Sequence, residues 1–279
     1  MRRRTTSITF VVLLALAAAC GSDDATAPTT TPAADGTTTT VAAAAPLTIL
    51  VTNDDGIGAA GIDAMVSALQ ELDDVELHVV APAENQSGSS DTTTPGGAPY
   101  AEGTTASGVE GTAVEGFPAD TVAVALDELG LTPDLVVSGI NKGQNVGPLA
   151  YVSGTVGAGR EAVRRGIPAI AGSAGLSDDP DDYALAAELV VELIEESRSD
   201  YASDSGTADA VVSVNVPDCT AGSAKEAVEV PLATEIPEGI NPFESDCTLE
   251  PSSPPTDDVG AIAAGFSTIT LVPPDAPAT

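Results

Sequence analysis

The sequence is poor in histidine, the side chain that most often moves protons near neutral pH. Its 279 residues include a single histidine, His78. A Ser-His-Asp triad needs a histidine base, and many catalytic zinc sites use two or three histidines. His78 stands at an alternating position inside a predicted strand, which favours a structural or surface role. Histidine-based catalysis and histidine-rich metal sites therefore have little to be built from.

Positive charge is also scarce. Nine lysines and arginines face 42 aspartates and glutamates, which gives a formal net charge of −33. A field of this sign repels the phosphate backbone of DNA and RNA, so we expect no nucleic-acid partner. The acidic residues are spread along the chain rather than gathered in one tail, as is typical of a solvated surface adapted to salt.

Long apolar runs are missing, apart from a run of twelve residues near the start. Residues 8–19 follow Arg2, Arg3 and Arg4, and they are too few to span a bilayer. Residues 1–20 therefore predict a secretory signal. Residues 16–21 resemble a bacterial lipoprotein signal in which Cys20 is lipidated, and ordinary cleavage after Ala19 is the alternative. The sequence thus predicts a protein outside the cytoplasm, anchored to the outer face of the cell membrane by its N-terminal lipid or else secreted.

Cysteine is rare, and its count fits that compartment. If Cys20 carries the lipid, Cys219 and Cys247 remain as a pair. In an oxidising setting such a pair forms a disulfide, which would stabilise the fold by about 3–4 kcal/mol in the chain-entropy model. Two free thiols are the alternative.

The rest of the chain divides into a tether and one domain. Residues 21–46 consist almost entirely of Thr, Ala, Pro, Asp and Gly, a composition that builds no core. Residues 47–279 have the size of one α/β domain. Strand and helix patterns alternate along it, which predicts a Rossmann-like three-layer αβα fold with a mainly parallel sheet. Residues 218–255, rich in Pro, Glu and Ser, are predicted to be a loop-rich C-terminal excursion.

Two adjacent aspartates follow the first predicted strand of this domain. Residues 47–52 are a short apolar run that ends in Asn53-Asp54-Asp55-Gly56. In an open α/β sheet the chemistry lies at the carboxyl ends of the strands. Two carboxylates at short range repel each other unless a cation or a proton lies between them, which favours a hard divalent metal. A helix cap or an Asx turn is the alternative.

A second candidate motif precedes a predicted helix over residues 156–165. Ser153-Gly154-Thr155 would place hydroxyls and exposed backbone N–H groups at the helix N-terminus, where the helix dipole favours an anion. The tripeptide therefore indicates a phosphate-binding turn. Plain N-capping is the alternative interpretation.

Three polar turns, each after a predicted strand, carry a resemblance to a known family. They are NDDG at residues 53–56, APAENQSG at 81–88, and SGINKGQN at 138–145 with SGTVGAG following. In this order and spacing they closely resemble the SurE family of metal-dependent nucleotidases and phosphatases. The resemblance covers about residues 47–273, and it includes GFPAD at 116–120 and VNVP at 214–217.

The resemblance implies a site and a reaction. Asp54 and Asp55 match the family's paired carboxylate ligands, Ser87 its hydroxyl ligand and Asn141 its amide ligand. Such an all-oxygen set suits Mg²⁺ or Mn²⁺. Phosphate-holding positions match Asn145 and Ser153-Gly154-Thr155. The implied reaction is hydrolysis of a phosphomonoester, typically a nucleoside 5′- or 3′-monophosphate, with Asp54 or Asp55 accepting a proton.

One loop departs from the family pattern. After residues 145–147 the family usually continues with acidic residues, whereas this chain has Pro148-Leu149-Ala150-Tyr151-Val152. The departure leaves substrate preference open, and it favours an alternative function as a surface-tethered nucleotide- or phosphate-binding module without turnover. Family members commonly form homo-oligomers, which makes an oligomer an expectation here as well.

Overall fold

A computed structural model describes residues 45–177, 179–201 and 208–277. The predicted signal, Cys20 and residues 21–44 of the predicted tether lie outside the described residues and stay predictions. Within the described ranges, no helix is both long enough and apolar enough to cross a membrane.

A single mainly parallel sheet forms the centre of the domain. Within the described residues its nine strands are β1 Leu47–Thr52, β2 Val75–Pro82, β3 Tyr100–Thr104, β4 Glu110–Val114, β5 Leu135–Lys142, β6 Ala169–Ala174, β7 Val211–Asn215, β8 Lys225–Glu229 and β9 Phe266–Val272. They lie in the order β3-β4-β2-β1-β5-β6-β7-β9-β8. Among these nine strands, only the pairs β3–β4 and β7–β9 are antiparallel.

Helices cover both faces of this sheet. Helices α1 and α4 pack together on one face, and α2 and α3 pack together on the other. The arrangement confirms the predicted three-layer α/β fold. The helices are α1 Ala60–Leu69, α2 Pro118–Ala123, α3 Gly154–Arg164, α4 Pro180–Glu196, α5 Arg198–Tyr201 and α6 Asp258–Ala263, with a π-helical turn at Val124–Glu128 and a 3-10 turn at Gly147–Tyr151.

Strand β1 explains why the aspartate turn sits at the middle of the sheet. Ile49, Leu50 and Val51 are completely buried. Because side chains alternate along a strand, Ile49 and Val51 join the core under α1 and α4, and Leu50 joins the opposite core. Hydrogen bonding to β2 on one side and β5 on the other leaves β1 no free edge. The turn that carries Asp54 and Asp55 therefore lies near the middle of the sheet edge that the carboxyl ends of the strands form.

Strand β5 runs further than the sequence indicates. The apolar run at residues 135–138 predicts a short strand, but β5 continues to Lys142 because Asn141 pairs with Ser173 of β6 after a register shift. The glycine-rich composition of this stretch suggests a turn, whereas tertiary pairing keeps it in the sheet. Asn141 is thus held by a strand end rather than by a loop.

The C-terminal segment returns to the sheet after a loop-rich excursion. Cys219 and Cys247 form a disulfide, with their Cα atoms 5.6 Å apart. The buried carboxylate of Asp258 accepts hydrogen bonds from the backbone N–H groups of Gly147, Ala233 and Val259 at 2.8–2.9 Å. Asp258 thereby joins the end of the excursion to the 3-10 turn that follows β5.

Candidate metal and phosphate site

Asn53, rather than either aspartate, closes the turn after β1. Its Nδ2 donates to the carbonyl oxygen of Gly56 at 2.8 Å, and the Gly56 N–H donates back to its Oδ1 at 3.2 Å. Gly56 has φ of 102°, a conformation that disfavours a side chain. Helix α1 has Ala59 at its N-cap position. Asp54 and Asp55 therefore do not cap this helix.

Asp54 lies at the bottom of a cleft. Its side chain is 2% exposed, and its Oδ1 accepts a hydrogen bond from Thr155 Oγ1 at 2.6 Å. Burial raises the pKa of Asp54 to about 6; the Thr155 bond lowers this pKa, and the charge of Asp55 raises it. A buried carboxylate with a hydroxyl as its partner is costly when charged, and a bound cation would remove that cost.

Asp55 ties three strand ends together. Its Oδ1 accepts a hydrogen bond from Asn85 Nδ2 at 2.8 Å, and its Oδ2 accepts one from the Lys142 backbone N–H at 3.0 Å. Burial raises the pKa of Asp55, while the bond and the charge of Lys142 lower it. Asp55 therefore fixes the turn after β1 against the turn after β2 and the end of β5.

Five of the predicted site residues line one cleft of about 210 Å³ at the carboxyl ends of these strands. Asp55 is not among the lining residues, although it follows Asp54 directly. Ser87 reaches the cleft from the exposed loop after β2. The predicted residues that the cleft brings together are Asp54, Ser87, Asn141, Asn145 and Ser153.

Asn141 supplies the observation that best fits a metal. Its side chain is 6% exposed, and its Nδ2 donates to the Gly143 carbonyl oxygen at 2.7 Å. Its Oδ1 is buried and accepts no hydrogen bond from the described residues. A buried acceptor without a partner costs roughly 1–3 kcal/mol. An unpartnered amide oxygen beside a buried carboxylate is the donor set that a hard cation prefers.

The composition of the cleft agrees with this donor set. No group of three or more His, Cys, Asp or Glu side chains suited to a metal occurs within the described ranges. A metal here would therefore depend on two carboxylates supplemented by neutral oxygens, as the family resemblance implies for Asp54, Asp55, Ser87 and Asn141.

The start of α3 differs from the predicted phosphate cradle in one respect. Ser153 Oγ accepts from the Val156 N–H at 3.2 Å and caps the helix, while Thr155 Oγ1 donates to Asp54. A Cβ on Gly154 would lie 2.9 Å from the Cβ of Asp54, so this turn packs directly on the carboxylate. Thr155 thus gives its only hydroxyl hydrogen to Asp54, whereas Ser153 accepts through its oxygen and keeps its hydroxyl hydrogen for an anion. Backbone N–H groups of the first helical turn are the other donors that this segment offers to an anion.

Asn145 is held from two sides. Its backbone N–H donates to Asn215 Oδ1 at 2.6 Å, and its Nδ2 donates to Ser173 Oγ at 2.9 Å. A primary amide has two donor hydrogens, so one remains for a phosphate oxygen. The two strands β6 and β7 therefore fix the position from which Asn145 can bind an anion.

Sequence reasoning missed several residues of the cleft. Gln144 lies beside Asn145, and its buried Oε1 accepts no hydrogen bond from the described part of the chain. Four apolar residues form the mouth of the cleft, and they come from three separate segments: Leu149, Val152, Leu176 and Phe243. The polarity of the Gln144 motif could have revealed that residue, but no local signal marks Leu176 or Phe243.

Fold and cleft together define an α/β protein with an oxygen-lined, metal-compatible site at the carboxyl ends of parallel strands. Residues 49–235 match the family described as Survival protein SurE. The chain belongs to the SurE family. The matched range includes every predicted metal and phosphate residue, and it ends before Phe243.

Individual relatives support the same assignment. The chain is 38% identical over 192 residues to the "5'-nucleotidase SurE" of Brevibacillus brevis, covering 67% of this chain and 72% of that protein. It is 42% identical over 190 residues to the "5'-nucleotidase SurE" of Halobacterium salinarum, covering 64% and 69%. The crystal structure of a SurE protein from Aquifex aeolicus superimposes with a TM-score of 0.64 at 26% identity, covering 82% of this chain and 94% of that one.

Proposed function

We propose that this chain is a phosphatase that depends on a divalent metal and hydrolyses nucleoside 5′- or 3′-monophosphates. The family and the printed names of its relatives support this reaction class. The single observation that carries the proposal is the unpartnered, buried Oδ1 of Asn141 in the same cleft as the buried carboxylate of Asp54.

Asp54, Asp55, Ser87 and Asn141 would hold the metal, Mg²⁺ or Mn²⁺. When bound, such a metal neutralises phosphate oxygens and lowers the pKa of a water molecule. The site is built on strand ends, and the hydrogen bonds of Asp55 hold those strand ends in register. Rigid placement of this kind supplies the orientation that in-line attack on phosphorus needs.

The remaining groups orient the phosphate and accept a proton. First-turn N–H groups of α3 and the second Nδ2 hydrogen of Asn145 would donate hydrogen bonds to the phosphate. Asp55 already accepts a hydrogen bond at each carboxylate oxygen, whereas burial raises the pKa of Asp54 to about 6, closer to the pH at which a general base works. We therefore assign proton acceptance to the carboxylate of Asp54. The attacking water would give its proton to this carboxylate as its oxygen bonds phosphorus, and the sugar oxygen would leave on the opposite side and take up a proton from solvent water.

Phosphate release by the full chain tests the proposal. The purified protein is assayed with nucleoside 5′- and 3′-monophosphates in Mg²⁺, in Mn²⁺ and in EDTA. We expect release in at least one metal and none in EDTA. Binding of nucleotides without release in any metal would refute the reaction and leave only the binding module.

A further inference from the structure

The cleft changes character from its floor to its mouth. Its floor carries Asp54, Asn141 and Asn145, whereas its mouth is formed by Leu149, Val152, Leu176 and Phe243. Val152 is 53% exposed and Leu176 is 48% exposed. We define these four residues as the apolar mouth. An ester whose phosphate lies on the floor can place its remaining part against these four side chains, although the exposed Ser87, Gly88 and Lys142 also line the cleft.

Two members of the apolar mouth converge above the turn that joins the floor residues. A Cβ placed on Gly143 would lie 3.1 Å from Leu176 Cδ2 and 3.8 Å from Phe243 Cε1. Gly143 stands between Asn141 and Asn145, and it has φ of 113°. The ring of Phe243 therefore lies within one side-chain length of the residues proposed to hold metal and phosphate.

The disulfide and one hydrogen bond connect the two segments that carry Leu176 and Phe243. Phe243 lies four residues before Cys247, whose disulfide partner Cys219 follows Asp218 directly. Asp218 Oδ2 accepts a hydrogen bond from the Ser177 N–H at 3.2 Å, and Ser177 is the neighbour of Leu176. The loop after β6 and the segment that carries Phe243 are thus fastened at the same point. This connection gives the mouth a defined shape.

We propose that the apolar mouth binds the uncharged aromatic ring of the substrate, with the ring stacked on Phe243, so that this chain prefers nucleotides to aliphatic phosphate esters. The proposal rests on the proposed function, since it takes the floor as the phosphate site. Stacking on an aromatic side chain recognises the face of a base and is tolerant of its identity. The four mouth side chains donate and accept no hydrogen bonds. They should therefore distinguish an ester that carries an aromatic base from one that does not, rather than one base from another.

Equilibrium binding separates the ring from the rest of the ligand. Calorimetry on the full chain in EDTA, where the proposed function predicts no hydrolysis, compares adenosine 5′-monophosphate with ribose 5-phosphate, which has a hydroxyl group in place of the base. The wild type should bind the nucleotide roughly 5- to 100-fold more tightly, the range expected from one stacked base. Phe243→Ala should lose most of this preference and leave the affinity for ribose 5-phosphate within about twofold.

Two control variants accompany Phe243→Ala. Phe243→Tyr keeps an aromatic face and should keep the preference. Leu249→Ala removes an exposed apolar side chain, 46% exposed, from the same segment outside the mouth, and it should behave as the wild type.

Three outcomes would overturn the inference. They are equal affinity of the wild type for both ligands, an equal loss for both ligands in Phe243→Ala, and an unchanged preference in that variant. Absence of phosphate release would refute the proposed function instead, and the binding comparison would still decide whether the mouth binds a ring.

Discussion

The floor and the apolar mouth of the cleft are built in different ways. The floor places a carboxylate and amides at the ends of central strands, inside the region matched by the family. The mouth collects apolar side chains from a 3-10 turn, from the loop after β6 and from a disulfide-closed segment that extends beyond that region. The residues proposed for phosphate chemistry, in the floor, therefore come from different parts of the fold than those proposed to contact the rest of the ester, in the apolar mouth.

The largest effect is expected at the floor. Asp54→Asn and Asp55→Asn each remove a charge from the proposed metal site, and we expect phosphate release to fall by at least about 100-fold. Release is measured from both a nucleotide and p-nitrophenyl phosphate. Glu226→Gln, which removes an exposed carboxylate on β8, is the matched control and should retain activity. Wild-type rates in both Asp variants would contradict the assignment of the floor.

Removing the disulfide should damage the mouth and spare the floor. In the double variant Cys219→Ser, Cys247→Ser we expect the free energy of unfolding to fall by about 3 kcal/mol, because the unfolded chain is no longer cross-linked. Chemical denaturation measures this change. The preference for adenosine 5′-monophosphate over ribose 5-phosphate should fall as well, since Phe243 loses its anchor.

Hydrolysis of a small aliphatic ester by the same double variant serves as the internal control. It should stay close to the wild-type rate, because no floor residue is bonded through the disulfide. A stable variant that loses activity on all esters equally would contradict the account, because it would show that the disulfide supports the floor as well as the mouth.

A variant of Thr155 tests the floor separately from the mouth, because the Thr155 hydroxyl donates to the floor residue Asp54 and does not line the mouth. Thr155→Val removes the hydrogen bond to Asp54 Oδ1 and keeps the side-chain volume. We expect a loss of about 10- to 100-fold in Mn²⁺ affinity, the usual range for a group that orients a metal ligand. Thr155→Ser should restore the affinity. A change in nucleotide preference without a change in metal affinity would be the opposite result.

The smallest expected effect concerns pH and stability without metal. Burial raises the pKa of Asp54 to about 6 in the folded state, against 3.8 for an ordinary aspartate. The folded protein therefore binds this proton more tightly than the unfolded chain, so Asp54 contributes more favourably as the pH falls from above 6 towards 4. In EDTA at pH 7.5, Asp54→Asn should have a larger free energy of unfolding than the wild type, because asparagine has no charge to bury. This difference should shrink by roughly 1 kcal/mol when the pH is lowered to 5.

Urea denaturation at the two pH values measures that difference, with Glu226→Gln as the control. An advantage that grows as the pH falls would have the wrong sign for a buried carboxyl with a raised pKa. It would place Asp54 in a charge-stabilised rather than a desolvated setting.

The floor was largely predictable because its signals are local. An apolar run that ends in Asn53-Asp54-Asp55-Gly56 predicted β1 over residues 47–52, and the structure has the strand at Leu47–Thr52. The motifs around Ser87 and Asn141 each follow a strand, and parallel strands bring their carboxyl ends to one edge of the sheet. Their meeting in one cleft follows from that topology.

The mouth was predictable only in part. Leu149 and Val152 belong to the loop that departs from the family pattern, whereas Leu176 and Phe243 join them through long-range contacts. Phe243 reaches the cleft through the disulfide and its neighbours, and residues 218–255 carry no periodic pattern that locates it. Side-chain partners are equally hidden from the sequence. The hydroxyl of Thr155 was expected to donate to phosphate, but it donates to Asp54, because helix α3 begins directly against the aspartate turn.

Mn²⁺ binding to the full chain tests the central claim most directly. Electron paramagnetic resonance of free Mn²⁺ gives the number and affinity of bound ions for the wild type, for Asn141→Leu and for the control Glu226→Gln. We predict one tight ion per chain in the wild type and in the control, and an affinity at least about tenfold weaker in Asn141→Leu, which lacks the unpartnered Oδ1. Equal Mn²⁺ affinity in all three proteins would contradict a metal site on this floor.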